Sequence, residues 1–149
     1  MRAVVQRVLQ ASVTVEGELV GSIDQGLCAL VGVAEDDDGR DVEILVNKVS
    51  QLRVFQDVEG KMNLNVSDVA GAVLAVSQFT LLGDVRRGNR PSFTLAMDPE
   101  RAHLLFEGFC AGVRSRGIAV ATGRFRASMQ VSLVNDGPVT ILIDTKKAF

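Results

Sequence analysis

The sequence is poor in the residues that usually carry reactive chemistry: one histidine, two cysteines and three prolines in 149 positions. A Ser-His-Asp relay needs a histidine beside its nucleophile. The single His103 falls beside an apolar helical stripe rather than within it, so its side chain is expected to face solvent. Cys28 and Cys110 have no CxxC spacing and no neighbouring histidine, and are read as buried thiols. No HExxH motif is present, and the one acidic run, Glu35 to Asp38, lacks the glycine and glutamate spacing of a calcium loop, so no metal is expected. The absence of GxGxxG and Walker patterns removes dinucleotide chemistry and nucleotide hydrolysis as leading ideas. No apolar run approaches the roughly 18 residues of a membrane helix. Charge interrupts the N-terminal residues too early for a signal peptide. A cytoplasmic protein without membrane partners is expected.

What remains fits one domain, residues 1–149, long enough to bury roughly two thirds of its unfolded surface without staples. The net charge of −2 argues against indiscriminate binding to polyanions but leaves room for a local phosphate contact. Basic residues gather at Arg86, Arg87 and Arg90, at Arg124 and Arg126, and at Lys146 and Lys147. Each group is either a solvated surface or an anion contact.

Alternation and β-branched residues predict strands over Ala3–Leu9, Ser12–Val15, Leu19–Ile23, Leu27–Val33, Val73–Phe79, Ile118–Ala121, Met129–Val134 and Val139–Ile143. Glu16-Gly17-Glu18 reads as a hairpin turn, and Asp24-Gln25-Gly26 as a turn before a fully apolar strand. One helix is predicted from about Arg40 to Gln51, after an Asp37-Asp38 start signal, with Val42, Leu45, Val46 and Val49 on one face. A second has Asp98 as N-cap, Pro99 in its first position, a stripe of Ala102, Leu105, Phe106, Phe109 and Val113, and Gly117 as its C′ stop. Strand runs with two helices, rather than regular βαβ alternation, predict an α+β domain with a mostly antiparallel sheet able to close into a barrel.

Two segments stand out as candidate sites. In Ser77-Gln78-Phe79-Thr80-Leu81 a buried strand ends in hydroxyls and an amide before the irregular, Arg- and Gly-rich stretch from Leu82 to Ser92. The hydroxyls serve either a ligand or the backbone at the strand end. In Asn135-Asp136-Gly137-Pro138-Val139-Thr140 a Gly-Pro pair lies between two strand-like runs, where proline cannot join a central ladder. The chain there either makes an Asp-Gly-Pro turn or buckles and presents its backbone to a ligand.

SQFTL at 77–81 together with NDGPVT at 135–140 resembles the D-aminoacyl-tRNA deacylase family. Supporting matches run along nearly the whole chain: Gln6-Arg7-Val8, Ala11 to Val15, Gly60 to Asn65, Arg90-Pro91-Ser92-Phe93, and Thr122 to Phe125. One departure bears on the local RNA contact: the family pattern has a small residue where this chain has Arg126. The resemblance implies a homodimer of β-barrel-like protomers and hydrolysis of D-aminoacyl-tRNA to free tRNA and D-amino acid, with no cofactor. It also implies a cis Gly137–Pro138 peptide that projects into the partner's pocket. If the two carbonyls there fill the space an L side chain would need, L-aminoacyl substrates are rejected sterically and glycyl-tRNA is hydrolysed to some extent. Ser77, Gln78, Phe79 and Thr80 are the expected catalytic segment, with main-chain NH groups of Phe79 and Thr80 as oxyanion donors and the substrate's ribose 2′-hydroxyl as proton relay. Thr80 as a nucleophile is the competing route. Gly137 and Pro138 would select handedness, with Arg7 either holding their carbonyls or standing as a surface strand charge. Phe125 and Met129 would line a pocket for the terminal adenosine, and Arg86, Arg87 and Arg90 would contact tRNA. A noncatalytic RNA-binding module built on the arginine loop is the alternative.

Overall fold

A computed structural model describes residues 1–149. Its spine is β1 (Arg2–Val15), one 14-residue strand where the sequence suggested two. Along one edge its first half pairs antiparallel with β3 (Gly26–Gly32) and its second half with β2 (Glu18–Ile23). Along the other edge lies β8 (Gln130–Asp144), antiparallel over almost the full length. The Glu16-Gly17 turn joins β1 to β2 as expected, with both residues at positive φ.

The sheet continues from β3 to β6 (Ala72–Ser77) and β7 (Ala119–Thr122), and both of these pairings are parallel. They are the part of the topology that alternation could not reveal. Parallel strands are covered on both faces and read as unbroken apolar runs. Leu27, Ala29 and Val31 of β3 enter one core cluster, while Cys28 enters the other. β2 approaches β7, so the sheet is a nearly closed barrel. A small hairpin, β4 (Phe55–Gln56) with β5 (Met62–Leu64), sits apart and was not anticipated, because its two- and three-residue strands are too short to show a period.

Helices α1 (Gly39–Ser50) and α2 (Pro99–Arg114) pack on each other and cover one face. Leu45 and Val49 from α1 and Phe106, Phe109 and Val113 from α2 join the larger cluster. The start signals hold: Asp38 caps α1 in a reciprocal box with Asp41, and Asp98 caps α2 ahead of Pro99. The stop differs by one position. Ser115 is the C-cap of α2, so Gly117, at φ +77°, follows the expected C′ site by a residue.

The acidic run is structural. Asp37 binds the Met1 ammonium at 2.6 Å, Asp38 is the α1 cap, and Glu35 pairs with Arg101 at 3.0 Å. Thr145 donates to Asp41 at 2.6 Å, and Lys146 lies 3.0 Å from the same carboxylate. Burial alone would raise Asp41. The bonds from Thr145, the Asp38 NH and Lys146, with the nearby ammonium, outweigh it and bring the group to about 2. Both cysteines are buried as expected, and burial pushes Cys28 up to about 11 and Cys110 up to about 12. No helix is long and apolar enough to cross a membrane.

Candidate active site

Strand β6 ends at Ser77, two residues before the position predicted from the apolar run, because Phe79–Leu82 turns into a 3-10 helix. The Gln78 NH donates to the Val31 carbonyl at 2.8 Å, which docks the turn onto the end of β3. Gly32 makes the close approach possible. A Cβ there would sit 2.7 Å from a Leu82 methyl and 2.9 Å from the Gln78 carbonyl oxygen. That glycine inside an apolar strand was a legible signal of close backbone contact, and sequence reasoning passed over it.

As the first amides of a helical turn, Phe79 NH and Thr80 NH have no carbonyl behind them to bond. The Thr80 hydroxyl is exposed and accepts from the Gln78 side-chain amide. No histidine or carboxylate is bonded to it. Phe79 is also exposed and packs edge-on against Phe93, with ring centroids 5.1 Å apart.

Beside this turn lies a cavity of about 470 Å³ lined by Ser77, Gln78, Phe79, Phe125, Arg126 and Met129, with its far wall formed by the α2 start and by Ala96 and Met97. Five residues that the sequence suggested in two separate segments, Ser77, Gln78, Phe79, Phe125 and Met129, thus meet in one cavity. Thr80 is not in the lining. Arg7, Gly137 and Pro138 do not line the cavity of their own protomer either. Sequence reasoning missed Met97, Pro99 and Ala102, which carry only the ordinary signature of a helix start.

His103 corrects an expectation. It does not point to solvent: its ring lies 4.4 Å from that of Phe125, with Nδ1 buried and unbonded. The helical period marks the side facing the sheet. The turn through Phe125 covers the adjacent face, which no period reports. Arg126 sits at φ +65°, a conformation more natural to glycine.

The arginine loop is pinched at its base by a two-way bridge, Asp84 NH to Ser92 O at 2.8 Å and Ser92 NH to Asp84 O at 2.9 Å. Arg86 folds back on Asp84 at 2.5 Å, and the hydrogen bonds from Arg86 hold that carboxyl well below the usual carboxylate range. Arg87 and Arg90 are exposed and make no ion pair. None of the three reaches the cavity.

The second candidate segment is a bulge within β8, not a turn between strands. Gln6 pairs with Thr140 and Val8 with Asn135, so Asp136, Gly137, Pro138 and Val139 all stand opposite Arg7. The Gly137–Pro138 peptide bond is cis, and both residues are exposed. Arg7 is 6% exposed, which excludes a surface role. Its Nε donates to the Asp136 carbonyl at 3.0 Å, one residue ahead of the pair whose carbonyls it was expected to hold, and its Nη1 donates to the Val54 carbonyl at 2.6 Å. The Asp136 carboxylate lies 3.3 Å from Nε. Gly137 is at φ +123°, where a side chain is strained and where a Cβ would meet Arg7 Nη2 at 2.6 Å.

Known proteins resemble this chain along its whole length. The profile of the family described as D-Tyr-tRNA(Tyr) deacylase matches residues 4–144. A curated relative from Koribacter versatilis, named D-aminoacyl-tRNA deacylase, is 59% identical over 149 residues, covering all of both chains. One of the same name from Anaeromyxobacter dehalogenans is 56% identical, again over the whole of both. The solved structure of the c-Myc DNA Unwinding Element Binding Protein superposes with a TM-score of 0.91 at 44% identity, covering 97% of this chain and 98% of its own. The reading as a noncatalytic module falls away, and the chain belongs to the D-Tyr-tRNA(Tyr) deacylase family of hydrolases, enzymes acting on D-aminoacyl-tRNA.

Proposed function

We propose that the protein is a cytoplasmic chiral proofreading enzyme. It works as a homodimer in which the Gly137–Pro138 bulge of one subunit enters the cavity of its partner. There the two carbonyls occupy the space an L side chain would need and meet the substrate ammonium. Rejection is then steric and indifferent to side-chain identity. Glycyl-tRNA, which has nothing to clash, is hydrolysed to some extent.

The observation carrying this reading is the placement of the bulge. Its dipeptide is exposed and lies away from its own protomer's cavity, yet a buried arginine holds its base. Two further observations support the dimer. β8 is a 15-residue strand paired only on its β1 side, and such an edge needs cover. Leu9, Val134 and Leu142 on β1 and β8 are 53%, 42% and 60% exposed.

An aminoacyl ester is already activated, so orientation and oxyanion stabilisation suffice. The Phe79 and Thr80 amides, lacking carbonyl partners, are the oxyanion donors, each typically worth about 10² to 10³ in rate. Ser77 and Gln78 shape the wall beside them. The substrate's 2′-hydroxyl carries the proton. Phe125 and Met129 receive the terminal adenine, where stacking on an aromatic contributes about 1 to 3 kcal/mol. Arg87 and Arg90, with Arg86 as a weaker third, meet tRNA phosphates.

The deciding experiment compares release of label from D-tyrosyl-, L-tyrosyl- and glycyl-tRNA, with mass measured by light scattering. Rapid D turnover, slow glycyl turnover, an intact L substrate and a dimeric mass are expected. Hydrolysis of the L ester, inertness toward glycyl-tRNA beside fast D turnover, or a monomeric active enzyme would overturn the model.

A further inference from the structure

The bulge has two ends, and Arg7 accounts for only one of them. Its guanidinium fixes the Asp136 carbonyl, on the N-terminal side of Gly137. On the far side, the Val139 NH donates to the Asn135 Oδ1 at 2.9 Å, so this side chain closes a ring over Asp136, Gly137 and Pro138. The Asn135 Nδ2 in turn donates to the Thr140 Oγ1 at 3.1 Å. The same hydroxyl accepts from the Gln6 Nε2 at 3.3 Å across the sheet. An amide has one acceptor and two donors, and here the Val139 NH fixes which end is which.

We propose that Asn135 is a positioning residue for chiral selection, with Thr140 setting the orientation of its amide. The proposal rests on the reading of Gly137–Pro138 as the selective element, and it adds the group that holds the C-terminal end of that dipeptide. Arg7 and Asn135 then act as two clamps, one on each side of the exposed pair. A clamp at one end alone would leave the dipeptide free to pivot, and a displacement of about an ångström is enough to spoil geometric discrimination. The local bond also gives the Val139 NH a side-chain partner where the ladder to β1 is interrupted.

A structural role alone would lower stability and leave selectivity untouched, so the readout is the ratio of L- to D-aminoacyl-tRNA hydrolysis. Asn135→Ala is expected to raise that ratio at least tenfold. Asn135→Asp, which keeps an acceptor for the Val139 NH, is expected to stay within threefold of the parent. Thr140→Val, which removes the hydroxyl and little volume, is expected to give an intermediate rise and decides the matter if the alanine variant does not fold. An Asn135→Ala enzyme as selective as the parent overturns the proposal, as does unchanged selectivity in Thr140→Val where the alanine variant cannot be studied. A parent enzyme that fails to discriminate hands would instead remove the underlying reading together with the clamp.

Discussion

Gly137→Ala is the most informative single change, because two separable costs meet at one methyl group. The first is conformational: at φ +123° an L side chain is strained by about 1 to 3 kcal/mol. The second is a collision. The new Cβ would stand 2.6 Å from Arg7 Nη2 and 3.0 Å from a Val139 methyl, against a comfortable separation of about 3.5 Å or more. Arg7 must retreat, and it cannot do so while keeping both its 3.0 Å bond to Asp136 and its 2.6 Å bond to Val54. Loss of one charged hydrogen bond adds about 1.5 to 3 kcal/mol. Together these predict about 2.5 to 6 kcal/mol of destabilisation, or roughly 5 to 24 °C in melting temperature for a chain of this size. Gly17→Ala is the matched control: φ is +78° there, but nothing lies within 4 Å of the added methyl, so only the conformational cost applies. Differential scanning calorimetry on both variants, beside D and L deacylation rates, separates the contributions. A Gly137→Ala protein that melts no lower than Gly17→Ala and still spares L-aminoacyl-tRNA would refute both the clamp and its role in selection.

Thr80→Val is expected to keep substantial D-aminoacyl-tRNA activity, since the hydroxyl bonds only to the Gln78 amide and no base adjoins it. Single-turnover kinetics showing complete loss in a folded variant that still binds tRNA would establish the covalent route. Asp41→Asn should change the acid stability profile. The folded pKa of Asp41 is about 2, below its ordinary 3.8, so its contribution is fully present above about pH 4 and fades as pH falls through 2. Melting temperatures taken from pH 5 to pH 2 should therefore converge for parent and variant as acidity rises. A constant offset across that range would contradict the assignment.

The parts of the molecule readable from the chain are those where one residue has one physical use. Asp98 followed by Pro99, and Asp38 before the α1 stripe, mark helix starts because a cap needs an acceptor and the first turn has no need of every donor. The Gly137-Pro138 anomaly was legible because proline inside a strand demands an explanation. What could not be read is what depends on distant neighbours. The apolar runs of β3 and β6 mark buried strands, but no residue in them names the neighbouring strand or its direction. Leu9 and Gln10 interrupt alternation, and the chain nevertheless continues as one strand because β8 shifts register beside it. Arg7 could be read from its strand either as a clamp on the Gly-Pro pair or as a surface charge, and only its burial opposite the bulge decides between them. His103 was assigned to solvent from its own helix alone, with Phe125 too far along the sequence to be weighed.

The partnership of β1 with β8 also dictates when the protein can come into being. Arg2 is bonded to Asp144, 142 positions away, and the same pairing runs to the far end of both strands. Long closures of this kind are slow, because chain entropy is lost before any contact compensates for it. A nascent chain must hold its first strand unpaired along one side until β8 has been made, and in that interval the open edge is free to pair with neighbouring chains.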